Sequence, residues 1–198
     1  MTPATKDTKL RRAIIIVAAL NLAYFFVESG AAVRHHSVSL FADSIDFLED
    51  ATLNILVLFA LRWSVQARGR VAVLLAALLL VPSGMAIWSL INHLQTHIVP
   101  NGEGMGLVGT GALAVNLFCA FYLLRFRDHA GSLTKAAFLS ARNDAAANVA
   151  IVVAGVATRI WPSPWPDLGV GLLILCMNAD AVGKVLRTAR EEQQPAAS

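Results

Sequence analysis

Apolar residues gather in six long runs, about 12–33, 39–61, 71–91, 106–124, 134–158 and 167–185. Each approaches or exceeds the roughly 20 residues that an α-helix needs to cross a bilayer. Between them lie short polar or Gly/Pro-containing stretches, among them Val99-Pro100-Asn101-Gly102 and Trp161-Pro162-Ser163-Pro164. The pattern predicts an all-α polytopic membrane protein with six transmembrane helices. Its expected parts are an N-terminal tail at 1–11, one six-helix transmembrane domain over 12–188 and a short tail at 189–198. The first run is too long for a secretory signal and lacks a convincing small-residue cleavage site, so it reads as a retained helix.

Composition supports the same class: 15% of the 198 residues are charged, where a soluble domain carries about 25%. The net charge of +3 matters less than its placement. Lys6, Lys9, Arg11, Arg12, Arg62, Arg68, Arg70, Arg125, Arg127, Lys135, Lys184, Arg187 and Arg190 all fall on one side of the six-span topology. Arg34 and Arg159 fall on the other, and Arg142 lies within the fifth span. By the positive-inside rule both termini are cytoplasmic, and the expected location is the inner, cytoplasmic membrane. This asymmetry accounts for the basic excess, and no nucleic-acid partner is expected. Cys119 and Cys176 sit inside apolar runs, where packing or lipid contact is the ordinary role and no disulfide framework is implied.

The second run breaks its own hydrophobicity. Asp43, Asp46, Glu49 and Asp50 fall within eight residues of a bilayer-length segment. At about 100° per residue Asp43, Asp46, Asp50 and Asn54 share one helix face, with Glu49 to the side. A carboxylate near mid-membrane costs about 2.5–3.5 kcal/mol on insertion scales, so protons or a bound cation must compensate. The fifth run answers with Ser140, Asp144 and Asn148 at successive i, i+4 positions. Asp-x-x-x-Asn occurs in both, as Asp50…Asn54 and Asp144…Asn148. With three spans per half, the copies run in opposite directions, the pattern of an inverted repeat with a substrate site at its midplane interface.

If those two faces meet, Asp46, Asp50 and Asp144 offer oxygen ligands and Ser140 is the fourth group. Four ligands suit tetrahedral Zn²⁺, and an all-oxygen set discriminates less against Mn²⁺, Fe²⁺ or Cd²⁺. Asn54, Asn143 and Asn148, with Glu49 beside them, are placed to orient the carboxylates or to add a carbonyl oxygen. Grouped acids in a low dielectric repel one another, so protons are expected to replace an absent metal, and metal binding to release them. One site that holds either metal or protons lets a proton gradient drive metal the other way. The metal is then substrate, protons are counter-substrate, and no cofactor or enzymatic activity is expected.

The remaining polar residues carry weaker signals. Glu28, near one end of the first span, fits interfacial water and the lining of an entry path equally well. Arg142 points away from the Asp144 face, pairing with Glu49 or another acid or snorkelling to the cytoplasmic side. Pro82-Ser83-Gly84 should kink or loosen the third span. His35 and His36 read as ordinary loop residues. His93 and His97 have metal-pair spacing only if the third helix continues past the membrane, and Asp180 reads as a solvated end residue.

Three stretches resemble one known family. Ser37-Val38-Ser39-Leu40-Phe41-Ala42-Asp43-Ser44-Ile45-Asp46-Phe47-Leu48-Glu49-Asp50 is similar to the second-span approach and (His/Asp)-x-x-x-Asp pair of the cation diffusion facilitators, which exchange metal for protons. Lys135 to Asp144 resembles that family's fifth span, and Trp165-Pro166-Asp167-Leu168-Gly169 its entry into the sixth. The resemblance implies efflux of Zn²⁺ or a similar ion, Cd²⁺ included, by alternating access in a homodimer, with Asp46, Asp50 and Asp144 as ligands. The chain departs from the family where Ser140 replaces a His or Asp, and it reads as a short form without the C-terminal cytoplasmic domain. Dimerisation is therefore expected through membrane helices. Two other classes fit less of the pattern. The weakened fourth ligand favours a non-transporting metal sensor or accessory subunit. An organic-cation antiporter would need an aromatic-lined pocket, and Phe47 is the only aromatic among the acids.

Overall fold

The computed structural model describes residues 3–60, 65–124 and 131–178, with side chains described over 9–55, 58, 81–124 and 143–178. Six helices follow in order: α1 (Pro3–His35), α2 (Val38–Ala60), α3 (Val65–Thr96), α4 (Gly102–Leu124), α5 (Gly131–Ile160) and α6 (Trp165–Asn178). No strand occurs among the described residues. Each of the six expected spans is helical wherever it falls among the described residues. Several helices outrun the apolar pattern, α1 reaching back to Pro3 and α3 extending over Val65–Thr96. Hydropathy marks only the part of a helix suited to lipid, not where its hydrogen bonds end.

Two of the tight turns are closed by histidines in the left-handed region, His36 at φ 54° and His97 at φ 52°. After α1, the amide of Ser37 donates to the Ala32 carbonyl at 3.0 Å, the long bond of a Schellman cap. After α3, the amide of His97 donates to the His93 carbonyl at 2.9 Å, the single bond of an αL cap. The helix therefore stops between the two histidines. His93 is buried and its Nδ1 lies 2.9 Å from the Ser89 carbonyl, while the His97 ring meets Trp165 edge-on at 6.2 Å. They do not form a helical metal pair. α3 runs unbroken through Pro82, which removes a backbone donor without ending the helix. Asn101 caps α4 by accepting the Gly104 amide at 3.0 Å.

Burial is inverted relative to a water-soluble bundle. Phe26, Val33, Val81, Trp88, Leu107, Phe121, Val153 and Ile160 are exposed, while Asn21, Glu28, Asp43, Asn116, Asn148 and Asp167 are buried. Continuous apolar exteriors of this kind are not left facing water. α1 within Lys9–His35, and α4, are each long and apolar enough to cross a membrane. Trp161 and Trp165 stand exposed at the α5–α6 turn, where amphipathic rings suit the lipid headgroup level.

α1 packs along α2, and α4 along α5, as two antiparallel pairs; α3 rests on α2, and α1 also meets α4. Small residues make these contacts close. A Cβ on Gly155 would meet the Gly102 carbonyl oxygen at 2.7 Å and the Gly106 amide at 2.9 Å. One on Gly111 would collide with the Tyr24 hydroxyl, which donates to the Val108 carbonyl at 2.7 Å and so ties α1 to α4. In chain order α1–α2 falls in the first half and α4–α5 in the second.

Asp167 supplies a longer-range tie. Its carboxylate accepts from the Ser37 hydroxyl (2.7 Å), the Val38 amide (2.7 Å), the Ser39 amide (3.1 Å) and the Ser39 hydroxyl (2.6 Å). One acid from the start of α6 thus caps the start of α2 and sits against the positive end of its dipole. Further along, a Cβ on Gly171 would meet Val38 at 2.8 Å, and the Asn178 amide donates to the Ala42 carbonyl at 3.4 Å. α6 therefore lies beside the acidic half of α2.

Candidate cation site between α2 and α5

α2 and α5 touch over a shorter stretch than the paired helices around them, and the acids lie where they meet. Asp46, Glu49 and Asp50 are half-buried on α2, and Asp144 is half-buried on α5. Asp46 is within electrostatic range of Asp144 across the interface, and of Asp43, Glu49 and Asp50 along its own helix. The helical period explains the gathering: i, i+3 and i+4 side chains rise on one side of α2. Cys119 of α4 is buried and within electrostatic range of Asp50, so three helices border the acidic zone.

The repeated asparagines adopt one conformation. The Asn54 amide donates to the Asp50 carbonyl at 2.7 Å, and the Asn148 amide donates to the Asp144 carbonyl at 2.6 Å. Each therefore grips the backbone of the aspartate one turn before it, rather than holding the carboxylate by its amide. Asn148 is fully buried, and its side-chain oxygen has no hydrogen-bond partner, so it keeps a carbonyl oxygen to offer. Asn143 is exposed. Ser140 and Arg142 belong to α5, but their side chains lie outside the described ones, as does the whole of Asp180. Among the described residues no three acid, His or Cys side chains converge into a metal cage. Asp46, Glu49 and Asp50 follow one another along α2, with Asp144 facing them from α5.

Two groups were weak or absent in the sequence reading. Glu28 is fully buried, away from any interfacial water, and neither of its carboxyl oxygens has a hydrogen-bond partner. It stands within hydrogen-bonding reach of Asp43, which shares a helix face with Asp46 and Asp50 yet is fully buried against α1. Asn21 is the second, buried with both amide atoms unpartnered. The antiparallel α1–α2 register that sets the Tyr24 ring against Phe47, tilted at 44° with centroids 4.9 Å apart, places Asn21 level with Asp50. A polar residue seven positions before Glu28, hence on the same face of α1, was the available signal.

No curated protein matches the chain. The family model described as the cation efflux transmembrane domain matches residues 14–192, from the start of the first apolar run to past the last. Members of this family are transporters and not enzymes, and their metal ion is cargo. An all-helical bundle with buried acids and an apolar exterior is what moving such cargo through lipid requires. The chain belongs to the cation efflux family.

Proposed function

We propose that the protein exports a divalent transition-metal cation, Zn²⁺ before Cd²⁺, by proton antiport across the cytoplasmic membrane. The carrying observation is Asp46 on α2 within electrostatic range of Asp144 on α5, with Glu49 and Asp50 beside it. Like charges so placed in a low dielectric are tolerable only with cations or protons among them. Asp46, Asp50 and Asp144 supply the metal's oxygens. Ser140 takes the fourth position, and Asn148 offers a carbonyl oxygen close by. Glu49, Asn54 and Asn143 act around this set, Asn54 by fixing the backbone at Asp50. The cage forms when α2 and α5 close on the ion, and their limited mutual contact favours such movement. Both termini face the cytoplasm, in keeping with the basic residues, and two copies associate through their membrane helices.

The test is metal uptake into proteoliposomes under a pH gradient, with Zn²⁺, Cd²⁺, Mn²⁺ and Fe²⁺ compared for wild type and Asp50→Ala. Flux that needs both the gradient and Asp50, and is greatest for Zn²⁺ or Cd²⁺, is the expected result. Preference for Mn²⁺ or Fe²⁺ would reassign the cargo while keeping the site. Binding without flux would make the protein a sensor or accessory subunit.

A further inference from the structure

The α1–α2 interface holds an acidic pair that metal coordination leaves unused. Glu28 and Asp43 are both fully buried and face each other within hydrogen-bonding reach. No N–H or O–H of the protein reaches any of their four carboxyl oxygens. The Tyr24 hydroxyl, one turn away on α1, is engaged elsewhere, donating to the Val108 carbonyl. Among the described residues, the titratable groups near the pair are Tyr24 on α1 and Asp46 on α2. On α4, Glu103 is exposed at the helix start, and Cys119 and Tyr122 lie in its far half.

Two ionised carboxylates side by side, fully buried and without a protein donor, would each leave acceptors unsatisfied and repel the other. A carboxylic acid facing a carboxylate has neither fault, because the O–H of one is donated to the other. A divalent metal fits less well. It wants at least four ligands, and no third acid, His or Cys joins the pair among the described residues.

We infer that Glu28 and Asp43 share one proton and form a proton-binding station beside the transport site. Asp43 lies on the α2 face that leads to Asp46 and then Asp50, nearer the end where α1 turns into α2. The station thus lies between that end of the bundle and the metal's acids. The pair can take up one proton from the aqueous side and give it up again, moving one proton and no other atom. This role rests on the proposed antiport; the shared proton itself does not.

Infrared spectroscopy of the reconstituted full chain at neutral pH, in H₂O and D₂O, tests the inference through the carbonyl stretch of protonated carboxyl groups. Saturation with Zn²⁺ removes protons from metal-binding acids and leaves those held elsewhere. The expected result is a deuterium-sensitive acid band that persists with Zn²⁺ and is retained in Asp50→Asn. It is lost in both Glu28→Gln and Asp43→Asn, whose amides can donate to the remaining carboxylate and keep the interface satisfied. Absence of such a band from Zn²⁺-saturated wild type overturns the inference whatever the variants do, as does its survival in both folded variants. A band without metal flux in liposomes would leave the pair standing and remove the antiport reading. Flux without the band would do the reverse.

Discussion

Buried polar side chains without partners separate residues that hold the fold from residues that await something. Asn54 and Asn148 make the same backbone bond, but only Asn148 keeps an orphaned oxygen in a fully buried place. Asn148→Ala is therefore predicted to weaken Zn²⁺ binding by about 10–100-fold, the range for residues that support metal ligands. Asn54→Ala should change it far less, and equilibrium dialysis of the purified protein compares the two. Equal losses would remove the distinction. The Asp-x-x-x-Asn pairs were legible in the sequence because periodicity alone places them. The role of Asp43 was not: sharing a face with Asp46 and Asp50 says nothing of how α1 covers one end of that face. Glu28 stayed ambiguous for the same reason, since its depth depends on which helix packs over it.

At the scale of elements, capping and close approach fix how α2 is held. Asp167→Ala removes four hydrogen bonds from a buried anion and leaves the α2 amides and serine hydroxyls without their acceptor. A loss of about 1.5–3 kcal/mol is the least expected for bonds to a charged group, seen as a lower unfolding temperature in detergent. An unchanged temperature would mean that α6 does not anchor α2. Gly155→Ala should cost about 1–3 kcal/mol by overpacking α4 against α5. Gly30→Ala, where a Cβ meets nothing within 4 Å, should be neutral or gain up to about 1 kcal/mol from helix propensity. Thermal unfolding of the two side by side checks whether helix contact, and not glycine content, sets stability. Helix number and order were readable from the apolar runs. The Asp167 cap was not, because it joins residues 130 positions apart, and the αL closure at His97 was hidden behind a metal-like spacing.

At the scale of the whole molecule, two antiparallel helix pairs, α1–α2 and α4–α5, enclose a shorter α2–α5 contact lined with acid. Tight packing within each pair and sparse packing between α2 and α5 suit movement of one half against the other around a midplane site. The sequence pointed to a repeat through one five-residue motif, Asp-x-x-x-Asn. It could not show which acids of α2 come within range of α5, since that depends on the spacing of packed helices. The central claim is the exchange of a metal ion for protons at the α2–α5 acids. Its most direct test is one vesicle preparation carrying a metal-sensitive and a pH-sensitive dye, read together for wild type and Asp50→Asn. The account predicts Zn²⁺ and protons moving in opposite directions with one time course, both abolished in the variant while its fold persists. Zn²⁺ movement without proton movement, or exchange that survives in Asp50→Asn, would contradict it.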